Sequence, residues 1–425
     1  MEKKKAANVP FTGYQKLIIA LLALLQFTVV LDFMILSPLG DFLMKSLEIS
    51  PAGFGMVVSA YAFSAGGAGL IAAGYADRFD RKKILLFFYT GFIVGTFFCA
   101  MADSFWTLLA ARIVTGLFGG VVGAVSMAII TDLFALNQRG RVMGVVQMGF
   151  AASQVLGIPI GLFFANNWGW HSSFLMIVVL AIIIGIIIVT QMKPIDKHLA
   201  LQSDKNPFLH LWHTLSNKSY QTGFLATAFL SVGGFMLMPF GSAYIINNLG
   251  IDPKHLTVLF FLTGVSSIVI MPLVGRLSDK IDKFKLFTIG SLVAVIMINI
   301  YTNLPPIPLW QLITINIILF MGIMSRMIPS TTLTSAIPEM KDRGAFMSLN
   351  GSLQQMAGGI AAVSAGLIVT QKTKTSPLEN YPVLGIVVSV VILVCLFFVY
   401  RVSVMVKKKI ATKEVKPDQV PAMAE

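Results

Sequence analysis

Three ionisable residues of this sequence lie inside long apolar stretches: Asp32 in "FTVVLDFMILSP", Arg112 in "ARIVTGLFGG" and Arg326 in "GIMSRMIPST". A carboxylate at such a position should face the protein interior or a water-filled cavity, because an ionised group facing lipid is costly. Burial favours its protonated form and a nearby cation favours its ionised form, so Asp32 can load and release a proton. The alternative is a static partner that orients helices. Arg326 either binds an anionic group or extends its charged end toward a membrane surface.

The elements that must position these residues are membrane-spanning helices. Of the 425 residues, 56% are hydrophobic and only 12% are charged, and the mean hydropathy is +0.81. About 20 helical residues cross a bilayer core of about 30 Å. We therefore predict an all-α membrane protein with twelve transmembrane helices. The predicted spans are 16–40, 52–75, 83–102, 105–133, 141–166, 171–192, 221–247, 256–278, 285–304, 308–336, 344–370 and 382–405.

The net charge of +13 is explained by membrane topology, without a nucleic-acid partner. With twelve spans, 26 Lys and Arg residues fall on the side of the N-terminus and four fall on the opposite side. The positive-inside rule then places both termini in the cytoplasm, and we expect the protein in the plasma (inner) membrane. The first apolar run is too long for a cleaved signal peptide, and many further spans follow it.

The sequence also argues against several kinds of soluble site. It contains no Gly-x-x-x-x-Gly-Lys-[Ser/Thr] phosphate loop and no His/Cys cluster with metal-ligand spacing. Its two cysteines, Cys99 and Cys395, lie in apolar runs and leave no exposed pair for a disulfide framework. We therefore expect no enzyme activity, no ATP-driven step, no cofactor and no metal.

A charged motif occurs twice, at an offset of 202 residues. "GYADRFDRKK" aligns with "RLSDKIDKFK", and "NQRGRVMG" aligns with "KDRGAFMS" at an offset of 204. Such a repeat indicates two six-helix bundles that enclose a site near the bilayer midplane. The predicted parts are a cytoplasmic N-terminus (1–15), an N-terminal bundle (16–192), a cytoplasmic linker with an interfacial helix (193–220), a C-terminal bundle (221–405) and a cytoplasmic tail (406–425).

Over essentially its whole length the chain resembles the major facilitator superfamily. The first charged motif, read as "AGYADRFDRKK", is similar to the family signature Gly-x-Leu-Ala-Asp-Arg-x-Gly-Arg-Lys. Asp77, Arg78 and Arg81 are in register with it, whereas Ala73 and Asp80 stand where the signature has glycine.

Two further segments resemble one branch of that family. "ARIVTGLFGG" is similar to the Arg-x-x-x-Gly pattern of proton-linked members. "GFAASQVLGIPIGLFFANNWGWHSSF" is similar to the glycine-rich fifth span and following turn of drug and sugar exporters, which include arabinose-efflux-like permeases. It departs from them at Ile158, which separates a Gly and a Pro that are usually adjacent, and at His171, where Arg is usual.

The resemblance implies that spans 1, 4, 7 and 10 line a central cavity. Asp32 and Arg112 then lie on facing helices near mid-membrane and form a proton-coupling pair; the alternative is a permanent structural ion pair. Polar side chains in the spans are candidates for the substrate cavity, although amides in helix bundles also join helices. These candidates are Gln26, Tyr61, Gln147, Gln154, Tyr244, Asn247, Arg326, Asn350 and Gln354.

The resemblance also assigns the charged motif to a cytoplasmic gate. In the family the aspartate, here Asp77, caps the N-terminus of span 11, where the helix dipole favours negative charge. A basic residue meets an acidic one at the inner end of span 4, here Asp132. The alternative is a motif that only sets topology. The predicted gate residues are Asp77, Arg78, Arg81, Asp132, Asp279 and Lys283.

Together these features predict a monomeric, proton-coupled antiporter that exports a small organic compound, drug-like or sugar-like, by alternating access. Its expected partners are that small-molecule substrate, protons and the lipid bilayer. The direction of transport rests on the resemblance alone. One alternative is uptake or exchange of an anionic metabolite that binds Arg112 and Arg326. Another is a receptor or lipid-handling scaffold without ion coupling.

Overall fold

The computed structural model describes residues 11–75, 78–196, 199, 207–339 and 342–414, and these residues form an all-helical protein. The one β-bridge among them joins Thr370 to Glu379. The α-helices are α1 (Gly13–Ile35), α2 (Gly40–Ser46), α3 (Pro51–Tyr75), α4 (Arg81–Ala100), α5 (Phe105–Leu133), α6 (Leu136–Ala152), α7 (Ile158–Trp168), α8 (His171–Gln191), α9 (Pro207–Ser216), α10 (Lys218–Phe235), α11 (Gly241–Asn247), α12 (Pro253–Lys280), α13 (Lys283–Thr302), α14 (Leu309–Ser335), α15 (Arg343–Ile368) and α16 (Tyr381–Glu414).

Eleven helical segments in this part of the chain are long and apolar enough to cross a membrane. One of them joins α6 to α7 through the π-helical turn Ser153–Gly157, and another joins α10 to α11 through the 3-10 turn Met238–Phe240. α15 is not among the eleven, although its 26 residues extend over about 39 Å at 1.5 Å per residue. Its many Gly, Ser and Gln residues make it less apolar than the other long helices.

The predicted spans 16–40 and 221–247 are wrong as continuous helices. α1 and α2 are separate helices, and α2 begins two residues after Pro38. α10 and α11 are likewise separate, and α11 begins two residues after Pro239. Proline has no amide hydrogen to donate and clashes with the preceding turn, so it interrupts a helix. α2 and α11 are each seven residues long and start 201 positions apart, close to the offset of the charged motif.

Two helix pairs join α1–α8, here called the N-terminal half, to α10–α16, the C-terminal half. α3 packs on α15, and α12 packs on the α6–α7 segment. A Cβ atom on Gly55 of α3 would lie 2.6 Å from the carbonyl oxygen of Ala362 in α15. A Cβ atom on Gly264 of α12 would lie 2.8 Å from the Cα atom of Val155. Glycine is therefore required at both contacts, as is typical where membrane helices approach closely.

We call the side of the molecule where α1 begins the terminal side, and the opposite side the distal side. α9 lies between the two halves in sequence, within the predicted linker, and contacts α15, α10 and α3. Leu211 and Leu215 of α9 pack against the apolar cluster of the C-terminal half, whereas Leu209 and Trp212 are exposed. Its interfacial location in the membrane stays a prediction.

Candidate functional site

A fully buried ion pair joins α1 to α5. Arg112 Nη1 donates to Asp32 Oδ2 at 2.7 Å, and neither side chain is exposed to solvent. Thr96 of α4 donates from Oγ1 to the other carboxylate oxygen, Asp32 Oδ1, at 3.1 Å. One carboxylate is thus held by a cation and a hydroxyl from two different helices. Protonation of Asp32 would remove the charge that Arg112 binds.

The rest of the Arg112 guanidinium is only loosely satisfied. Its Nε and Nη2 atoms are buried and make no hydrogen bond to any described residue. Its Cζ atom lies 4.6 Å from the ring centroid of Tyr61, a cation–π distance. Free donors on a buried cation are costly, so this arrangement is well suited to a change of partner.

The pair lies nearer the distal side than the sequence suggests. Asp32 is three residues from the end of α1, and Arg112 is seven residues from the start of the 29-residue α5. At 1.5 Å per residue these positions are about 5 Å and about 10 Å from the distal ends of their helices. The predicted first span is too long because α1 stops before Pro38, and the location of the pair near mid-membrane stays a prediction.

Aromatic rings separate this pair from the C-terminal half. The ring of Phe33 lies 5.2 Å from that of Tyr61 and 5.7 Å from that of Phe235 in α10. Tyr61, predicted to line the cavity, is only 2% exposed and covers Arg112. The three rings form a contact between the halves directly beside the ion pair.

Two of the predicted cavity residues, Gln26 and Gln147, lie together. They line a pocket of about 200 Å³ between α1, α5 and α6. The remaining lining residues are Gly123, Ser126, Met127, Met143 and Val146.

The other predicted amides do not line this pocket. Gln154 is half-buried in the π-helical turn, where its backbone faces Gly264 of α12, and its Oε1 atom has no partner among the described residues. Asn350 in α15 has a buried Oδ1 atom that is also without a partner in that part of the chain. Gln354, one turn further along α15, is exposed.

Tyr244, predicted to line the cavity, is instead part of an aromatic cluster within the C-terminal half. It is 2% exposed, stacks on Tyr381 with ring centroids 4.1 Å apart, and lies 5.6 Å from the ring of Tyr301. Its hydroxyl donates to the carbonyl of Leu304 at 3.3 Å. The geometry gives Tyr244 a packing role.

Arg326 is buried deep in the C-terminal half and does not reach a membrane surface. It is 2% exposed and lies nine residues, about 14 Å, from the end of α14. Nε donates to the hydroxyl of Ser291 at 3.2 Å, and Cζ lies 5.6 Å from the ring of Phe287. Nη2 has no hydrogen-bond partner in the described ranges. Of the two predictions for Arg326, extension to the surface is therefore wrong.

A polar cluster on the distal side, which we call the distal clasp, joins α2 to α11. Asn247, predicted to line the cavity, belongs to it: Nδ2 donates to Asp41 Oδ1 at 2.6 Å. Lys45 Nζ donates to Asp41 Oδ2 at 2.8 Å and to Asn247 Oδ1 at 3.2 Å. Ser242 donates to the carbonyl of Ser37 at 2.8 Å. Asn247 thus contacts the opposite half at the distal end of the molecule.

An ion pair at the surface adds to this closure. Lys374, in the segment between α15 and α16, donates to Glu48, which follows α2. Its ammonium lowers the pKa of Glu48 through this hydrogen bond. Both side chains are more than half exposed, so the pair adds little free energy.

Arg81, in the charged motif of the N-terminal half, forms an ion pair with Asp132 at the terminal side. Arg81 Nε donates to Asp132 Oδ2 at 2.8 Å, which joins the start of α4 to the end of α5. Arg78 is exposed. Asp77 lies outside the described residues, so its contact with span 11 stays a prediction, as does the gate itself.

The copy of the motif in the C-terminal half is built differently. Asp279 is exposed, and Lys283 Nζ donates to the carbonyl of Ser278 at 3.4 Å. Lys283 thus contacts the backbone, whereas its counterpart in the first half contacts a carboxylate.

Two aspartates that replace the signature glycine cap helices. Asp80 Oδ1 accepts from the Lys83 amide at 3.0 Å at the start of α4, and Asp282 Oδ1 accepts from the Lys285 amide at 3.1 Å at the start of α13. Side-chain caps of this kind stabilise helix starts. Asp282 also binds Lys407 Nζ at 2.8 Å, and this hydrogen bond lowers its pKa.

Sequence comparison identifies a family model and relatives that match most of the chain. A model of the Major Facilitator Superfamily matches residues 22–362 and, separately, residues 224–422. The uncharacterized MFS-type transporter YceJ of Bacillus subtilis (strain 168) is 29% identical over 285 residues, which is 67% of this chain and 71% of YceJ. A probable sugar efflux transporter of Helicobacter acinonychis (strain Sheeba) is 22% identical over 253 residues, 59% of this chain and 63% of its own.

Solved structures share the fold at low sequence identity. A bacterial homolog of the human lysosomal transporter Spinster, in an inward-facing and unoccupied conformation, has a TM-score of 0.72 at 17% identity and covers 94% of this chain and 99% of its own. The nucleoside transporter NupG has a TM-score of 0.73 at 13% identity, with coverages of 91% and 99%.

Proposed function

Because this chain belongs to the major facilitator superfamily and is a multi-pass membrane transporter, not an enzyme, we propose that it is a proton-coupled antiporter that exports a small organic compound. The observation that carries the proposal is the buried pair Asp32–Arg112, in which the cation has free donors. Burial favours the neutral form of Asp32 and Arg112 favours its ionised form, so Asp32 can take up a proton from solvent and Arg112, which stays charged, can then change its hydrogen-bond partner.

We further propose that α15 is the twelfth span and that each half of the chain forms a six-helix bundle in the inner membrane. The terminal side then faces the cytoplasm, in agreement with the excess of Lys and Arg on that side. α15 packs along α3 and begins on the terminal side, as a span must at this point of the chain. The transporter acts as a monomer.

The proposed cycle starts from the state described here, in which the distal clasp holds the two halves together on the distal side. Substrate enters from the cytoplasm, and the halves rock about the α3–α15 and α12–α6–α7 contacts until the clasp opens. Substrate then leaves on the distal side, and a proton binds Asp32 and releases Arg112. The return of the proton to the cytoplasm restores the ion pair and resets the carrier.

The export direction and the sugar-like or drug-like substrate rest on similarity. One relative is a probable sugar efflux transporter, and the fifth span resembles that of drug and sugar exporters.

The proposal can be tested in liposomes that contain the purified full chain. A panel of sugars and cationic drugs is loaded, and flux is followed under an imposed pH gradient. We expect flux that follows the gradient, and Asp32→Asn should remove its pH dependence. Asp103→Asn, at an exposed carboxylate on the distal side that bonds Thr107, is the matched control. Flux that ignores the gradient, or pH dependence that survives Asp32→Asn, would contradict proton coupling.

A second candidate, uptake or exchange of an anionic metabolite, is favoured by one observation. Arg326 is a buried cation whose described contacts are the Ser291 hydroxyl, the Phe287 ring and the Cys395 thiol, and its Nη2 donor is free within the described part of the chain. A buried unpaired charge is costly, and an acidic substrate group would supply the missing partner.

A further inference from the structure

The pocket between α1, α5 and α6 differs from the ion pair in that none of its lining residues is charged. The lining combines two amides, one hydroxyl, two thioethers, one isopropyl group and one glycine. We propose that this pocket binds the hydroxyl-bearing part of the substrate and that the transported compound is a small neutral solute of the monosaccharide or polyol class. The inference rests on the proposed transport function and assigns a chemical class to its substrate.

The polar groups of the pocket are available to a ligand. Gln26 is half-buried and Gln147 is exposed, and neither amide makes a hydrogen bond to another residue of the described chain. An amide offers two donors and an acceptor with two lone pairs, which suits neighbouring hydroxyl groups that both donate and accept. The hydroxyl of Ser126 is different, because it donates to the carbonyl of Val122 at 2.8 Å. The two amides therefore provide the free hydrogen-bonding capacity.

The absence of charge in the lining selects against ionic substrates. A carboxylate or ammonium group that enters the pocket loses hydration and meets no opposite charge among the seven lining residues. A hydroxyl group can exchange its hydrogen bonds with water for hydrogen bonds with Gln26 and Gln147. Met127 and Met143 offer flexible apolar surface, which suits the C–H face of a sugar ring or a carbon chain.

The size of the pocket favours a small solute. Its volume of about 200 Å³ is below the about 300–1,000 Å³ of pockets that hold drug-sized ligands. Gly123 contributes to this space: a Cβ atom there would meet no protein atom within 4 Å. A side chain at this position would therefore extend into the pocket without disturbing the helices.

The pocket lies close enough to the ion pair for transport to be coupled. Gln26 precedes Asp32 by six residues of α1, which is a rise of about 9 Å toward the terminal side. A solute held by Gln26 thus touches the same helix that carries the coupling carboxylate. It also lies on the terminal side of the ion pair, away from the distal clasp.

The test uses three near-isosteric probes that differ in charge, namely glucose, glucuronate and glucosamine, together with xylitol and arabinose. Binding to the purified full chain is measured by thermal stabilisation and by competition. We expect at least one neutral probe to bind and the charged analogue of the same skeleton to bind at least about tenfold more weakly. Gly123→Leu should abolish binding, and Gln26→Leu and Gln147→Leu should each weaken it about tenfold.

Matched controls separate these effects from general damage. Gly144→Leu places the same side chain on α6 where a Cβ atom also meets nothing within 4 Å, and Gln191→Leu changes an exposed amide at the end of α8. Both should bind like the unmodified chain. The inference is overturned if no neutral probe binds, if a charged analogue binds more tightly, or if the pocket variants bind like their controls.

The outcome can be separated from that of the proposed function. Proton-coupled flux of a charged compound would leave the transport mechanism standing and remove the neutral-solute assignment. Binding of a neutral solute through Gln26 and Gln147, with flux that does not depend on the pH gradient, would leave the neutral-solute assignment standing and remove proton coupling.

Discussion

Asn247 donates a 2.6 Å hydrogen bond to Asp41, and this bond joins two seven-residue helices that belong to opposite halves of the chain. Asp41 is only 4% exposed, so the bond is largely shielded from water. Hydrogen bonds to charged groups contribute about 1.5–3 kcal/mol. Opening of the distal side must break this contact.

Asn247→Ala should therefore favour the state that is open on the distal side. We expect the open population to rise at least about tenfold, because the lost bond is worth more than about 1.4 kcal/mol. The measurement is the distance distribution between spin labels at Asp103 and Lys254, two exposed distal positions in opposite halves. Asn248→Ala is the control, because Asn248 bonds Leu378 within the C-terminal half. Equal distance distributions for the two variants would show that the clasp does not control opening of the distal side.

The ion pair Asp32–Arg112 should behave as a unit in stability measurements. Removal of one partner leaves a buried charge, so Asp32→Leu or Arg112→Met alone should cost about 3–5 kcal/mol. The double variant should regain most of that loss, because two apolar side chains leave no charge unpaired. The free energy of unfolding in detergent micelles gives the comparison, and additive losses would show that the two groups do not depend on each other.

Arg326→Gln tests the anionic alternative. If Arg326 binds an acidic substrate group, the variant should weaken binding of acidic compounds by at least about tenfold and leave neutral compounds unchanged. Competition binding with gluconate and glucose measures this. Arg401→Gln, at an exposed arginine beside Phe397, is the control. An equal loss of affinity for gluconate and for glucose would contradict the anionic alternative.

Asp282 should make stability depend on pH below neutrality. The hydrogen bond from Lys407 lowers its pKa, so the folded state holds the proton less tightly than the unfolded chain does. The stabilisation is therefore present above the unfolded value of about 3.9 and disappears as the pH falls through the folded value. Since the side chain is 30% exposed, the pair contributes at most about 1 kcal/mol.

The measurement is the unfolding midpoint between about pH 6 and about pH 3. Asp282→Asn should lower the midpoint most at the upper end, and the difference should shrink as the pH falls below about 3.9, whereas Asp279→Asn, an exposed neighbour, should follow the unmodified chain. A constant difference between Asp282→Asn and the unmodified chain would assign the effect to helix capping alone.

Gly55→Ala should weaken the contact between the halves. Its Cβ atom would lie 2.6 Å from the carbonyl oxygen of Ala362, so α3 and α15 must separate on the distal side. Gly67→Ala in the same helix meets nothing within 4 Å and should gain up to about 1 kcal/mol from better helix propensity. Thermal unfolding compares the two variants, and equal midpoints would contradict the close approach of α3 and α15.

The all-helical membrane fold could be predicted from the sequence, because long apolar runs permit little else in a membrane. It also selected Asp32 and Arg112, since ionised groups in such runs are rare. Two helix breaks escaped the hydropathy pattern: Pro38 and Pro239 lie within apolar surroundings, so the chain stays apolar where the helix stops. Asp80 departs from the signature, yet aspartate before a helix is itself a capping signal.

The residues that sequence reasoning missed act across distances that no local pattern encodes. Thr96 is an ordinary hydroxyl in an apolar helix, and only the fold brings it to Asp32. Asp41 and Lys45 are opposite charges four residues apart, just beyond the first predicted span. This spacing indicates an ion pair within one helix. Asn247, which both of them contact, lies about 200 residues away in sequence.

The contact between Lys45 and Asn247 has a consequence for how a duplicated protein evolves. The two residues are 202 positions apart, one more than the 201 positions between the starts of α2 and α11, so they lie at neighbouring positions in the two copies of the repeat. In a dimer of identical subunits, residues beside the symmetry axis meet their own copies, and a lysine there would lie close to a second lysine. Fusion of both copies into one chain removes that restriction, because each copy can then carry a different side chain beside the axis.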